Sequence, residues 1–402
     1  MKILFLHRNF PGQFKYLAME LAQDVNNEVC FITNNNTTGT TARIRKIVYK
    51  LKRKVPKDCH RYLRFYEDAI IHGQAVAEVL IQMKTQGYKP DIIYGHTWGC
   101  TLFVKDIFPD VPLVCYFEWF YNPEGADVGF NGEYVGVDTR AKLQCKNSHL
   151  LLDLLNCDFG ISPTEWQKSQ FPKEFQNKIK VLHEGIDTNI CCPKDNAIFE
   201  FKGKRFTKED EILTYATRGM EEYRGFPEFM KTLEQLQKIR PNMQVIIGGE
   251  DRVCYGCHLK NDTFKQKMLR ELDLDLSRIH FVGNLPYAEY IKLLQVSRCH
   301  VYLTYPFVLS WSLLEAMATG CCIVASDTAP VKEVIQNNFN GILVDFYDID
   351  LLVKNINLIL NNPENYSNIR TSARKTINEK FELKKLLNKQ IEFFNTCKIL
   401  QT

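Results

Sequence analysis

What the chain lacks narrows it first. No apolar run reaches the roughly 18–20 residues that a membrane-spanning helix needs. Neither sign of charge is in excess: 51 Lys and Arg face 47 Asp and Glu, a net +4. That gives no global electrostatic case for nucleic acid. There is no repeat at a fixed period and no low-complexity tract. Met1–Leu6 passes straight into an apolar segment, without the basic and apolar regions of a signal peptide, so a cytoplasmic setting is expected. The 14 Cys are scattered through apolar surroundings, which fits free buried thiols better than a disulfide framework. Cys254-Tyr255-Gly256-Cys257-His258 invites a zinc reading, but no second CxxC or HxxxH supplies the remaining ligands. Asp348 and Asp350 spell an acidic pair, yet they open a helix rather than end a strand. No metal and no cofactor is therefore expected.

What is present is an α/β alternation long enough for two domains. The chain has 402 residues, 45% hydrophobic and 24% charged, and domains of about 150–200 residues are the rule. Its most informative stretch is 301–335. Val301–Tyr305 reads as a buried strand, Phe307–Ser310 as a tight crossover and Trp311–Thr319 as a helix. Gly320 stands where a helix C-cap belongs, and Cys321–Ser326 is a second buried strand. This is one βαβ unit of a parallel sheet. Its loop aims a helix N-terminus, with unpaired N–H groups and a positive dipole end, at whatever sits above the sheet. Glu315, one turn further in, suits sugar hydroxyls better than phosphate. A plain buried amphipathic helix is the bland alternative for LLEAMA.

In the first half, Lys2–Leu6 and Glu28–Thr33 read as strands around a helix, Phe14–Gln23. Pro11 and Gly12 precede that helix, where glycine lets a ligand approach the backbone; an ordinary turn is the alternative. Residues 43–64 hold ten Lys or Arg against one Asp. Ile44, Ile47, Val48, Leu51 and Val55 space as a basic amphipathic helix broken by Pro56. Such a helix can lie on the cytoplasmic membrane face or be a solvated domain helix. Without interleaved aromatics it does not suit nucleic acid. His96 and Trp98 follow the strand Asp91–Tyr94, and Glu118 sits among Phe117, Trp119, Phe120 and Tyr121 after the strand Val111–Tyr116. Ligands of open α/β sheets bind at such strand ends. A histidine there can carry a proton, and aromatic faces with one acceptor suit sugars; a loop folded over the core is the other reading.

The second half restarts the pattern after a polar segment at 189–210. Ile212–Thr217 is a strand, followed by Arg218-Gly219-Met220-Glu221-Glu222-Tyr223-Arg224-Gly225. Guanidinium groups suit bidentate phosphate binding. Further strands end at Gly248-Gly249 and at Gly283-Asn284.

Together these segments resemble the retaining GT-B glycosyltransferases of family 4. LLEAMATG matches the family's pattern around its second Glu, which is Glu315 here. The first Glu, eight positions earlier, is replaced by Phe307, and the Gly-rich turn by Leu309-Ser310-Trp311. Arg218 and Arg224 match the Arg and Lys that grip the donor diphosphate in the family, with Arg for Lys. The resemblance implies an α/β GT-B fold, two Rossmann-like domains with a cleft between them and a terminal helix returning to the first. It implies domains at 1–188 plus about 380–402, and at 211–379, joined by a linker at 189–210. It implies metal-independent transfer, with retention, from a nucleotide sugar, UDP-linked in the first instance, to a hydroxyl of a glycan, lipid-linked or protein acceptor in glycoconjugate synthesis. Donor binding would fall to Gly12, Arg218, Arg224, Gly283, Asn284, Leu309, Ser310, Trp311, Ser312, Leu313 and Glu315. His96, Trp98 and Glu118 would meet the acceptor, with Arg218, Arg224 and His96 catalytic. Phe307 leaves open a protein that binds a nucleotide sugar without efficient transfer. All of this requires Arg218 and Arg224 within reach of 309–315.

Overall fold

The computed structural model describes residues 1–35 and 43–399. They form two compact units, Met1–Gly185 with the residues from Lys384 onward, and Ile186–Leu383.

The first unit is built on a seven-stranded sheet of β1 (Lys2–Leu6), β2 (Glu28–Thr33), β3 (Ile44–Val48), β4 (Ile92–His96), β5 (Leu113–Tyr116), β6 (Phe159–Ser162) and β7 (Ile179–Val181). Their spatial order is β3-β2-β1-β4-β5-β6-β7, every pair parallel. Parallel strands need crossovers and cover on both faces, so they read as unbroken apolar runs. KILFL shows how: Ile3 and Phe5 face the helix Lys15–Leu21, whereas Leu4 and Leu6 face the helix Arg64–Thr85. Each fully buried Ile, Leu or Phe contributes roughly 1.5–3 kcal/mol of transfer free energy. The terminal helix Leu383–Ile399 adds Phe394 to the first of these faces, its ring 5.1 Å from Tyr94. Gln390 donates a hydrogen bond to the His183 carbonyl at 2.8 Å.

The segment 43–64 is not the helix that its spacing suggests. Ile44–Val48 pairs in parallel with Val29–Thr33 as an edge strand, and 49–63 is irregular until the helix starts at Arg64. β-branched Ile and Val favour a pleated surface, and a sheet edge with unpaired backbone groups outbids a solvent-exposed helix. The cations of this segment therefore do not form one helical face. Lys52, Arg53 and Arg61 pair with Glu78, Glu67 and Asp138.

The second unit has a six-stranded parallel sheet. Before it comes a hairpin of β8 (Phe199–Phe201) and β9 (Lys204–Phe206). The sheet contains β10 (Ile212–Gly219), β11 (Gln244–Glu250), β12 (Ile279–Gly283), β13 (Cys299–Tyr302), β14 (Ile323–Ser326) and β15 (Ile342–Val344), in the order β12-β11-β10-β13-β14-β15. The hairpin corrects the reading of 189–210 as a linker. Phe199 and Phe206 are buried in the core of this unit, and a polar composition hid two inward aromatics.

In both sheets the strand order reverses beside the first long strand, between β1 and β4 and between β10 and β13. Crevices at the carboxyl ends of strands open at such switch points. Among the described residues no helix is long and apolar enough to cross a membrane.

Candidate active site

At the switch point of the first unit, β1 ends at Leu6 and delivers His7; β4 ends at His96. Both imidazoles are fully buried, 4.8 Å apart between ring centroids. The His7 Nδ1 accepts from the Asn9 N–H at 2.8 Å, so Nε2 carries the proton and donates to Gln13 Oε1 at 2.8 Å. Gln13 Nε2 in turn donates to Glu118 Oε1 at 3.2 Å. Glu118 Oε2 stands 3.6 Å from His96 Nε2. Neither nitrogen of His96 has a hydrogen-bond partner among the described residues. Burial, then the charge of Arg8, lowers the His96 pKa to about 3; burial and His96 do the same to His7. Both rings are neutral at physiological pH.

Trp98 lies against His96 at 4.1 Å, and its carbonyl accepts from Arg8 Nε at 2.5 Å. Gly12 is left-handed, φ 54°, and a Cβ there would meet the His7 ring at 2.7 Å. Glycine is required at this position to seat His7. His96, Trp98, Glu118 and Gly12 thus come together, through His7 and Gln13, which carried no signal of their own beyond following a strand.

In the second unit Arg218 is the penultimate residue of β10, and Arg224 stands in the turn that follows it. Arg218 is exposed and makes no hydrogen bond or ion pair among the described residues. Arg224 is buried, and its Nη1 donates to Thr304 Oγ1 at 2.8 Å, the Val308 carbonyl at 3.1 Å and Tyr302 Oη at 3.3 Å. That Tyr302 oxygen accepts from the Ser310 N–H at 2.9 Å. Burial alone would lower the Arg224 pKa, but Tyr302, Tyr255 and Glu221 more than offset it, and it stays charged. Arg224 therefore reaches the turn before the helix Trp311–Ala318 and fixes it. Gly225 makes this possible: it is left-handed, and a Cβ would meet the Leu303 Cβ at 2.4 Å.

Ser310 is the N-cap of that helix, accepting from the Ser312 N–H at 3.3 Å. The Leu313 N–H donates to the Ser310 carbonyl at 3.2 Å. The N–H groups at 310, 312 and 313 are thus engaged within the loop, which corrects the picture of unpaired donors there. Leu309 and Leu313 are buried, and Trp311 is 39% exposed. Glu315 Oε1 accepts from Tyr287 Oη at 2.8 Å. Gly283 is left-handed, φ 69°, with open space at its Cα, and Asn284 beside it is exposed.

Where the family carries its first Glu, Phe307 is buried against Tyr223 and Tyr255, at 5.5 and 5.1 Å. Behind this aromatic group lies a carboxylate that sequence reasoning passed over. Glu221 is fully buried; its Oε2 accepts from the Tyr255 and Gly256 N–H groups at 2.9 and 2.8 Å, and its Oε1 has no hydrogen-bond partner among the described residues. Nothing but its place between two arginines marked it. Asp348 caps the helix Ile349–Asn361 through the Leu351 N–H at 2.8 Å, as its position suggests. Among the described residues no group of three His, Cys, Asp or Glu is placed to hold a metal ion.

Two family models match, in tandem. Residues 25–191 match the glycosyl transferase family 4 group, and residues 197–376 the glycosyl transferases group 1. An uncharacterized glycosyltransferase of Haemophilus influenzae is 24% identical over 239 residues, 59% of this chain and 61% of that protein. The fold of the Anabaena protein Alr3699/HepE, solved with UDP-glucose, superposes with a TM-score of 0.71 at 16% identity, over 98% of this chain and 100% of that one. Sucrose-phosphate synthase of Thermosynechococcus elongatus gives 0.72 at 14% identity over 98% of both chains. The two parallel-sheet units are those of the GT-B fold. With both halves matched in order, and with LLEAMATG and the arginine pair seated at a switch point, the chain belongs to the family 4, group 1 glycosyltransferases.

Proposed function

We propose that the chain transfers a sugar, with retention of anomeric configuration and without a metal, from a UDP-sugar to an acceptor hydroxyl. The observation that carries this is the pairing of roles in the segment 218–225, which spans the end of β10 and the turn after it. Arg224 is spent on building the turn before the helix Trp311–Ala318, while Arg218, exposed at the end of β10, is uncommitted. An exposed guanidinium at the carboxyl end of a parallel strand, close in sequence to the arginine that holds the turn before a helix, is suited to a diphosphate. The likeness to a fold solved with UDP-glucose supports a uridine donor.

In the reaction the bond from the anomeric carbon to the diphosphate oxygen breaks, and a bond to the acceptor oxygen forms on the same face. The acceptor proton passes to the departing phosphate oxygen. Arg218 stabilises the charge that builds on the leaving group, aided by the helix dipole. Glu315, held by Tyr287, takes ribose hydroxyls, and Gly283-Asn284 borders the base. Leu309, Trp311 and Leu313 shape the same wall. In the first unit neutral His96 and ionisable Glu118 receive the acceptor hydroxyl, with Trp98 as the flat face of the subsite. Gln13 orients Glu118. With the family's first Glu absent, the donor sugar meets the exposed ring of Tyr255, which packs on Phe307.

The test is release of UDP from a panel of UDP-sugars, with and without EDTA, with the product's anomeric configuration read by NMR. Wild type should turn over in EDTA and Arg218→Ala about 100-fold more slowly. A wild type that neither releases nor binds UDP ends the proposal.

A further inference from the structure

At the opposite end of the second unit's sheet from Arg218 and Ser310 there is a cleft of about 550 Å³. Ser297 and Arg298 line it just before β13 begins, and Thr319 and Gly320 just after the helix Trp311–Ala318 ends. One wall is the helix Ser367–Lys380, and another is formed by Pro193 and Lys208, outside the hairpin. β13 is four residues long, so at roughly 3.3 Å per residue its two ends are separated by about 13 Å. The cleft is a second place, not an extension of the first.

Its charge is one-sided. Lys208, Arg298, Arg370 and Arg374 line it, against Glu364 as the single carboxylate. All four cations are half-buried. Among the described residues Arg298 donates only to the Lys208 and Glu209 carbonyls, at 3.2 and 2.7 Å. Among the described residues Arg374 donates only to the carbonyls of Cys191 and Thr188, at 3.1 and 3.3 Å, and of Ala318. Arg370 makes no hydrogen bond or ion pair at all among the described residues. Lys208 alone has a counterion, the fully exposed Asp195 at 3.3 Å. Carbonyls satisfy guanidinium N–H groups but leave the charge uncompensated, and half-buried positive charge without a counterion is costly.

We propose that this cleft binds a small phosphate monoester. A dianionic phosphate matches three guanidiniums that have forked donors to spare, where a single carboxylate would leave most of the charge standing. The volume exceeds that of a bare phosphate ion, and the hydroxyls of Ser367 and Thr371 with the apolar Pro193, Leu294 and Pro363 provide for a sugar-sized or glycerol-sized body. Arg374 also holds the last carbonyl of the helix that carries Glu315, so the ligand would rest against that helix.

The experiment is calorimetric titration of the full chain with glucose 6-phosphate, using glucose and equal-strength KCl as controls. A parallel arm floats the protein with phosphatidylcholine vesicles doped with phosphatidic acid, whose head group is the same monoester. Arg370→Ala removes a side chain with no protein partner, so folding is preserved; Arg218→Ala disables the other end. Binding of glucose 6-phosphate, or flotation alone if the monoester is lipidic, should survive Arg218→Ala. It should weaken at least about tenfold in Arg370→Ala, as expected for losing a charged hydrogen bond. Loss in Arg218→Ala with retention in Arg370→Ala would place the phosphate at the nucleotide end and overturn the proposal. So would heats matched by KCl, or no binding in either arm.

Discussion

The two units present opposite electrostatics on the same scaffold. At the first switch point the imidazoles are buried and neutral: His7 is linked to Glu118 through Gln13, and His96 stands beside them without a hydrogen-bond partner among the described residues. At the second they are cationic, with one arginine locked into the loop and one uncommitted. A parallel sheet fixes where ligands meet the chain, but only the loop residues decide which chemistry is met. Neutral imidazoles fit hydroxyls; guanidiniums fit diphosphate.

The largest effect that would test this contrast is on stability against pH. His7 and His96 bind protons near pH 3 when folded and near 6.5 when unfolded. The unfolded chain therefore holds more protons between those values. Stability is full above pH 6.5 and is lost as pH falls. Each ring should cost about 2 kcal/mol between pH 6.5 and 5. Hydrogen exchange read strand by strand should show β1 and β4 weakening at pH 5, an effect that His96→Phe halves. Equal weakening of wild type and variant would mean that His96 contributes nothing to it.

Next is Arg224→Ala. It leaves Thr304, Val308 and Tyr302 without their donor, so about 3 kcal/mol of stability in the second unit should go, together with UDP-sugar turnover. An unchanged melting temperature would show that Arg224 does not build the turn. Arg218→Ala should separate the two roles, shifting stability by less than about 0.5 kcal/mol and lowering turnover about 100-fold. If it unfolds the unit instead, the distinction between the arginines fails. Smallest is Glu118→Gln, for which about a tenfold loss in kcat is expected with the donor KM unchanged. A rise in donor KM alone would move Glu118 to the donor's side of the reaction.

Much of this was legible beforehand. The apolar runs KILFL and EVCFIT, and the helix in LLEAMATG, each bury what their composition says they must. Arg218 and Arg224 sit at the strand end where their spacing puts them. Less legible was anything that depended on a partner distant in sequence. Ile44–Val48 became a strand because β2 offered an edge, and 199–206 a hairpin because two aromatics found a core. Gln13, which holds His7, is joined to Glu118 across 105 positions, and no local pattern links them. Glu221 carries its signal in burial, which sequence does not state.

By itself, then, the order of residues determined the alternation of strand and helix and the identity of the charged loop, because apolar periodicity and short-range spacing act within one element. Tertiary structure decided which arginine is buried and which is exposed, which imidazoles are neutral, and where four cations gather with a single carboxylate. Those are questions of desolvation and pairing, and both are set by neighbours that only the folded sheet brings together.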